Sequence, residues 1–173
     1  MAALAATGCA TTAMTVSSHV DRSINFTQYR TFDWGPADAL PTGDPRLDAD
    51  PFFKDRVQGA VERGLASRGL EQVASGRPDL VIHYHAHVSE RIDANRADRA
   101  YGYCGAADCP PEDVTYEAGT LILDFMDART NKLVWRAWAQ NSVGDMLRDR
   151  DAMARNIDDA VAKMLKELPL RAR

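Results

Sequence analysis

The chain has 173 residues, 45% of them hydrophobic and 27% charged, with a formal net charge of -4. That length suits one domain of roughly 100 to 200 residues, and no apolar run approaches the roughly 20 residues that a membrane-spanning helix needs. Acids and bases alternate, as in RIDANRADR and DMLRDRDAMAR, so neither a helical integral membrane protein nor a nucleic-acid binder with a basic face is expected.

Met1 to Cys9 reads MAALAATGC, an apolar, small-residue run, and the polar tract ATTAMTVSS follows. This resembles the end of a bacterial lipoprotein signal peptide with its lipobox, in which the Cys is lipidated and becomes the first mature residue. Ala6 stands where Leu is usual, and the run carries no basic n-region. The competing reading is an Ala-rich terminus with an incidental Cys. The resemblance implies residual signal peptide over residues 1–8, a flexible tether over residues 9–18 behind a lipidated Cys9, and a single domain over residues 19–170. It also implies a membrane partner through the lipid anchor and an oxidising address in the cell envelope, at the outer membrane facing the periplasm.

In the domain, VSSHV and YRTFDWG read as strands, with Phe26, Tyr29, Phe32 and Trp34 supplying aromatic anchors and Gly35-Pro36 as the stop. ADALPTGDPRLDAD reads as a polar connection. Asp50 as cap and Pro51 at the first helical position then open an amphipathic helix, in which Phe53, Val57, Val61 and Leu65 recur up to a stop at Gly69. LEQVA suits a short strand, and Gly76-Arg77-Pro78 turns the chain into VIHYHAHV.

In that strand Leu80, Ile82, Tyr84, Ala86 and Val88 share one face, while His83, His85 and His87 share the other with Val81. The apolar set is the core face. Same-face neighbours on a strand stand nearly 7 Å apart, so three in a row span roughly 13 Å and cannot all hold one ion. An adjacent pair could chelate zinc, copper or nickel if another element supplied a third ligand, for which Asp124 is the candidate. The alternative is a polar sheet face.

Glu90 to Glu117 reads as a long polar insertion, containing Tyr101 and Tyr103 as binding-surface candidates. It also contains Cys104 and Cys109, which in an oxidising compartment suit a local disulfide closing a small ring, of about 2 kcal/mol. Free thiols or half of a metal site stay open as alternatives. GTLILDFMD and KLVWRAWAQNSV then form a hairpin around ARTN, with Asn131 left-handed. In the expected register Asp127 opposes Leu133, Phe125 opposes Trp135, Leu123 opposes Ala137 and Asp124 faces Arg136, leaving Trp135 in the core and Trp138 on the other face with the histidines. From about Arg150 to Leu168, Met153, Ile157, Val161, Met164 and Leu168 mark a second amphipathic helix stopped by Pro169.

INFTQYRTFDWG, RPDLVIHYHAHV, YEAGTLILDFMDARTNKLVWRAWA and IDDAVAKMLKELP resemble the DUF4136 family of bacterial lipoproteins in order, spacing and type, from about Val20 to Pro169. Asn131 stands where that family commonly has Gly, and the Cys104/Cys109 loop looks particular to this chain. The resemblance implies an α+β fold, a mostly antiparallel sheet with two amphipathic helices packed on one face, in a family with no recognised catalytic residues. Residue patterns agree, since there is no nucleophile elbow, phosphate loop or zinc-protease helix. No enzyme activity and no cofactor are expected. The expected role is a non-catalytic envelope lipoprotein domain that binds a protein or envelope component through Trp138, Arg136 and the insertion. Envelope metal binding through His83, His85 and His87 is the alternative.

Overall fold

The computed structural model describes residues 14–36, 44–73, 76–92, 115–144 and 146–170. Six strands form one sheet: β1 (Thr15–Val20), β2 (Thr31–Trp34), β3 (Glu71–Gln72), β4 (Leu80–Ile92), β5 (Thr115–Asp127) and β6 (Lys132–Ser142). Their spatial order is β1-β6-β5-β4-β2-β3. The β1, β6, β5 and β4 pairings are antiparallel, but β2 runs parallel to both β4 and β3. The sheet is therefore mixed, because the connection through the helix after β2 returns the chain in the same direction.

Among the described residues the α-helices are α1 (Pro45–Asp48), α2 (Pro51–Ala66) and α3 (Arg150–Lys166). The Asp50 carboxylate accepts from Phe52 N and the Asp149 carboxylate from Asp151 N and Ala152 N, so both long helices start on a side chain that satisfies otherwise orphaned amides. The short α1 lies inside the expected connection and has the same signature, Asp44 as cap with Pro45 behind it. Phe53, Val57, Val61 and Leu65 of α2 are buried with Met153, Ile157, Val161 and Met164 of α3 against Leu80, Ile82, Leu123, Phe125, Trp135 and Ala137 of the sheet. The helices pack on each other as well. Leu165 sits over Gly64, where an added Cβ would stand 2.3 Å from its Cδ1, and Asp158 bonds both Arg56 and Arg63.

Four boundaries differ from those expected. Strand β1 starts at Thr15, one residue before the expected strand VSSHV, so residues 15–18, also assigned to the tether, pair with β6. Strand β2 starts at Thr31, because Asn25 caps a 3-10 turn over Phe26–Gln28 and Tyr29 turns inward. Glu90–Ile92 and Thr115–Glu117, expected in the insertion, continue the β4–β5 ladder. In the hairpin Phe125 opposes Trp135, Leu123 opposes Ala137 and Asp124 opposes Arg136 as expected, but Asp127 opposes Lys132 and not Leu133. A bulge leaves Val134 without an opposite number, so Val134 turns into the core and Leu133 turns out half-exposed.

Asp127 caps the hairpin turn from within: its Oδ1 accepts from Arg129 N, Thr130 N and Thr130 Oγ1, and its Oδ2 accepts from the Tyr29 hydroxyl at 3.0 Å. Burial pushes the Asp127 carboxyl up, but the bonds from Thr130, Tyr29 and Arg129 outweigh it and hold the group below its ordinary range. Burial and the bond to Asp127 push the Tyr29 hydroxyl up to about 12. Asn131 closes the turn with φ 54, the left-handed conformation that Asn tolerates.

Candidate functional site

The sheet face turned away from the helices carries the site residues. Paired registers set His19, Arg136, Asp124 and His83 in one row across β1, β6, β5 and β4, and Ser17, Trp138, Ile122 and His85 in the next. All share a face because opposed residues of an antiparallel ladder do. Val81, Met126 and Leu133 flank the first row, half-buried.

Asp124 is the centre of this face and is 5% exposed. Arg136 grips it as a fork, Nε to Oδ1 at 2.6 Å and Nη2 to Oδ2 at 2.5 Å. The His85 Nε2 stands 3.6 Å from Asp124 Oδ2, and the His85 Nδ1 is buried without a partner among the described residues. His83 lies over Gly35, where any Cβ would come within 2.0 Å of the ring, so glycine makes room for the imidazole. Burial lowers the His83 pKa and the neighbouring His85 adds to that, while Asp124 opposes it. His87 is exposed at the end of the row.

This arrangement limits the chemistry. Both Asp124 oxygens are occupied by a guanidinium, which leaves the carboxylate poorly placed to act as a general base or to bind an ion. Among the described residues no three His, Cys, Asp or Glu side chains are grouped to hold a metal ion. What the face offers is a Trp, several aliphatic side chains and a partly exposed arginine, the composition of a protein-contact surface.

The register brings together His83, His85, Asp124, Arg136 and Trp138, and leaves His87 at the rim. Cys9, Tyr101, Tyr103, Cys104 and Cys109 lie outside the described residues. Ile122 and Met126 belong to the face and were not singled out in the sequence, whereas Leu133 was expected on the core side and Gly35 only as a strand stop. For Ile122 and Met126 the signal was present, since both alternate with the core residues of β5. A hollow at the end of the core, by Met14, Phe53, Val143 and Ile157, has a volume of about 50 Å³. Small-molecule sites usually need roughly 300 Å³ or more.

Fold and face together define an α+β domain with helices on one side of a mixed sheet and, among the described residues, a partly apolar face without helices on the other. The family model described as "Domain of unknown function (DUF4136)" matches residues 16–170, and the chain belongs to that family. A solved DUF4136 family protein from Bacteroides thetaiotaomicron is similar, with 18% identity, 90% of this chain and 96% of that chain covered, and a TM-score of 0.57. A PelC dodecamer from Paraburkholderia phytofirmans is similar at 12% identity, with 92% and 99% covered and a TM-score of 0.51. A PDZ domain protein from Parabacteroides distasonis is similar at 13% identity with a TM-score of 0.55; 92% of this chain is covered, and the chain spans only 37% of that protein's length. At these identities the likeness shows the fold alone. Among curated proteins, none matches the sequence.

Proposed function

We propose that this chain is a non-catalytic binding domain of the cell envelope, anchored through a lipid on Cys9 at the outer membrane on its periplasmic side, that docks a protein or envelope component on its open sheet face. The supporting observation is the face itself. Trp138, Ile122, Met126, Val81 and Leu133 lie half-buried around the Asp124–Arg136 pair, and among the described residues no helix lies above them. Trp and Arg in such a setting are the residue types that most often dominate binding energy at interfaces. The ion pair, whose carboxylate is buried, orients the Arg136 fork, and a pre-oriented group loses less entropy on docking.

The metal alternative, with His83, His85 and His87 as ligands and Asp124 as an oxygen donor, has less support, since Asp124 would first have to release Arg136.

The test is capture from detergent-solubilised envelope of the native cell with immobilised wild type and with Trp138→Ser. The expected result is a component retained by the wild type and lost with the variant, whose fold is checked by circular dichroism. Identical capture by both would overturn the assignment to this face.

A further inference from the structure

The sheet has one short edge and one open edge. At one end β3 has two residues, and at the other β1 has six, TVSSHV. Strand β1 contains no Pro, Lys, Arg, Asp or Glu. Those residues are among the devices by which proteins usually blunt an edge.

The bond from Asp21 N to Val134 O, 2.9 Å, continues the β1–β6 ladder and sets its alternation. Asp21, His19, Ser17 and Thr15 direct their backbone groups at β6, so Val16, Ser18 and Val20 direct theirs outward. Among the described residues nothing pairs with them. Val16 and Val20 are also only half-buried where they pack on the core.

We propose that a second copy of this chain pairs with β1, antiparallel, about a two-fold axis through Ser18. Opposed residues of an antiparallel ladder share a face, and hydrogen-bonded pairs must join outward-directed residues of both copies. With Ser18 on the axis both conditions hold. Val16 opposes Val20 of the partner subunit, Ser18 opposes Ser18 of the partner subunit, and Val20 opposes Val16 of the partner subunit. The two valine pairs are β-branched cross-strand contacts that cover the half-exposed end of each core, while Ser17 meets His19 of the partner subunit on the other face. No Lys, Arg, Asp or Glu collides, because the strand has none, and His19 meets a serine. The strand is thus its own complement, which favours a second copy over an unrelated strand. Such a two-fold contact closes on itself and does not propagate. It joins two sheets into one and sets both open faces side by side. The inference stands on the edge strand, independent of any docking on the face.

The test uses the full chain without lipid, by sedimentation velocity over a concentration series. The wild type is expected to reach the mass of a dimer. Ser18→Pro removes only an outward N–H, which an edge strand tolerates, and Ser18→Lys sets like charges against each other across the axis; both are expected to halve the measured mass with the far-ultraviolet spectrum unchanged. A monomeric wild type at every concentration, or a dimer that survives both substitutions, would overturn the proposal. Amide exchange on the wild type reads the same contact without a variant: the Val16, Ser18 and Val20 amides should be slow in concentrated samples and fast on dilution, with Ser17 and His19 slow throughout. Fast exchange at Val16, Ser18 and Val20 at all concentrations would also overturn it.

Discussion

Arg136 and Asp124, opposite each other on β6 and β5, are joined by two hydrogen bonds of 2.6 and 2.5 Å, and the carboxylate is almost fully buried while the guanidinium stays partly in water. Without the arginine, a buried charge would keep only a distant His85. Arg136→Ala should therefore destabilise the domain by about 2 kcal/mol, the order expected for hydrogen bonds to a charged group. Urea denaturation checks this, and a loss below about 0.5 kcal/mol, the size of an ordinary surface change, would mean that the pair contributes little. Replacing both residues by apolar ones of similar size should recover part of the loss.

His83 makes stability depend on pH. Its folded pKa lies below the ordinary value of 6.5, chiefly through burial, so in the window beneath 6.5 the unfolded chain binds the proton first. Its contribution is complete above the unfolded pKa and is lost as pH falls through the folded one. His83→Gln should flatten the decline in stability between pH 6.5 and the lowered folded value, measured as denaturation midpoints across that range. An unchanged slope would assign the decline to other groups.

Zinc, copper and nickel should leave the melting temperature of the wild type unchanged. A ligand that binds only the native state stabilises it by roughly 2.7 kcal/mol at a hundredfold excess over its dissociation constant, which thermal scans would detect. A rise that disappears in His83→Thr/His85→Thr and weakens below about pH 6, where histidines protonate, would instead establish the metal alternative.

Gly64→Ala sets two effects against each other. Ala in place of Gly favours a helix by about 1 kcal/mol, but the new Cβ would stand 2.3 Å from Leu165 Cδ1, and Leu165 is 1% exposed with little room to move. Overpacking of this kind costs roughly 1 to 3 kcal/mol, so the substitution should destabilise. Adding Leu165→Ala should remove the clash, and the pair should show positive coupling in a double-mutant cycle of denaturation energies.

Behind a complete signal peptide, the protein should partition with membranes, and Cys9→Ser should release it. The lipid on Cys9 would be the hydrophobic anchor, and a serine there would not carry it. Fractionation checks this, and retention of the Ser variant would rule out the lipid on Cys9.

Alternation and helical spacing were enough to place α2, α3 and the core face of β4, because a half-buried element must repeat its apolar residues at its own period. The caps Asp50 and Asp149 were written beside them, although only the first was recognised. The same Asp-Pro signature preceded α1, hidden in a tract that otherwise reads as turns. The pairing of Asp124 with Arg136 was legible as well, since the hairpin loop and the apolar pattern leave few registers. The Val134 bulge was not, because two adjacent apolar residues, Val134 and Trp135, do not reveal in sequence that both will be buried.

By itself the sequence determined which residues seek the core, where helices begin, and that three histidines share one strand face, since these follow from local chemistry and periodicity. Only the tertiary structure decided the rest. The parallel placement of β2 beside β4 puts Gly35 beneath His83, and among the described residues the sheet order leaves β1 as an open edge. Each depends on which strands become neighbours after long excursions of the chain, and that is set by how the two helices and the sheet together bury the most apolar surface, a property no short stretch carries.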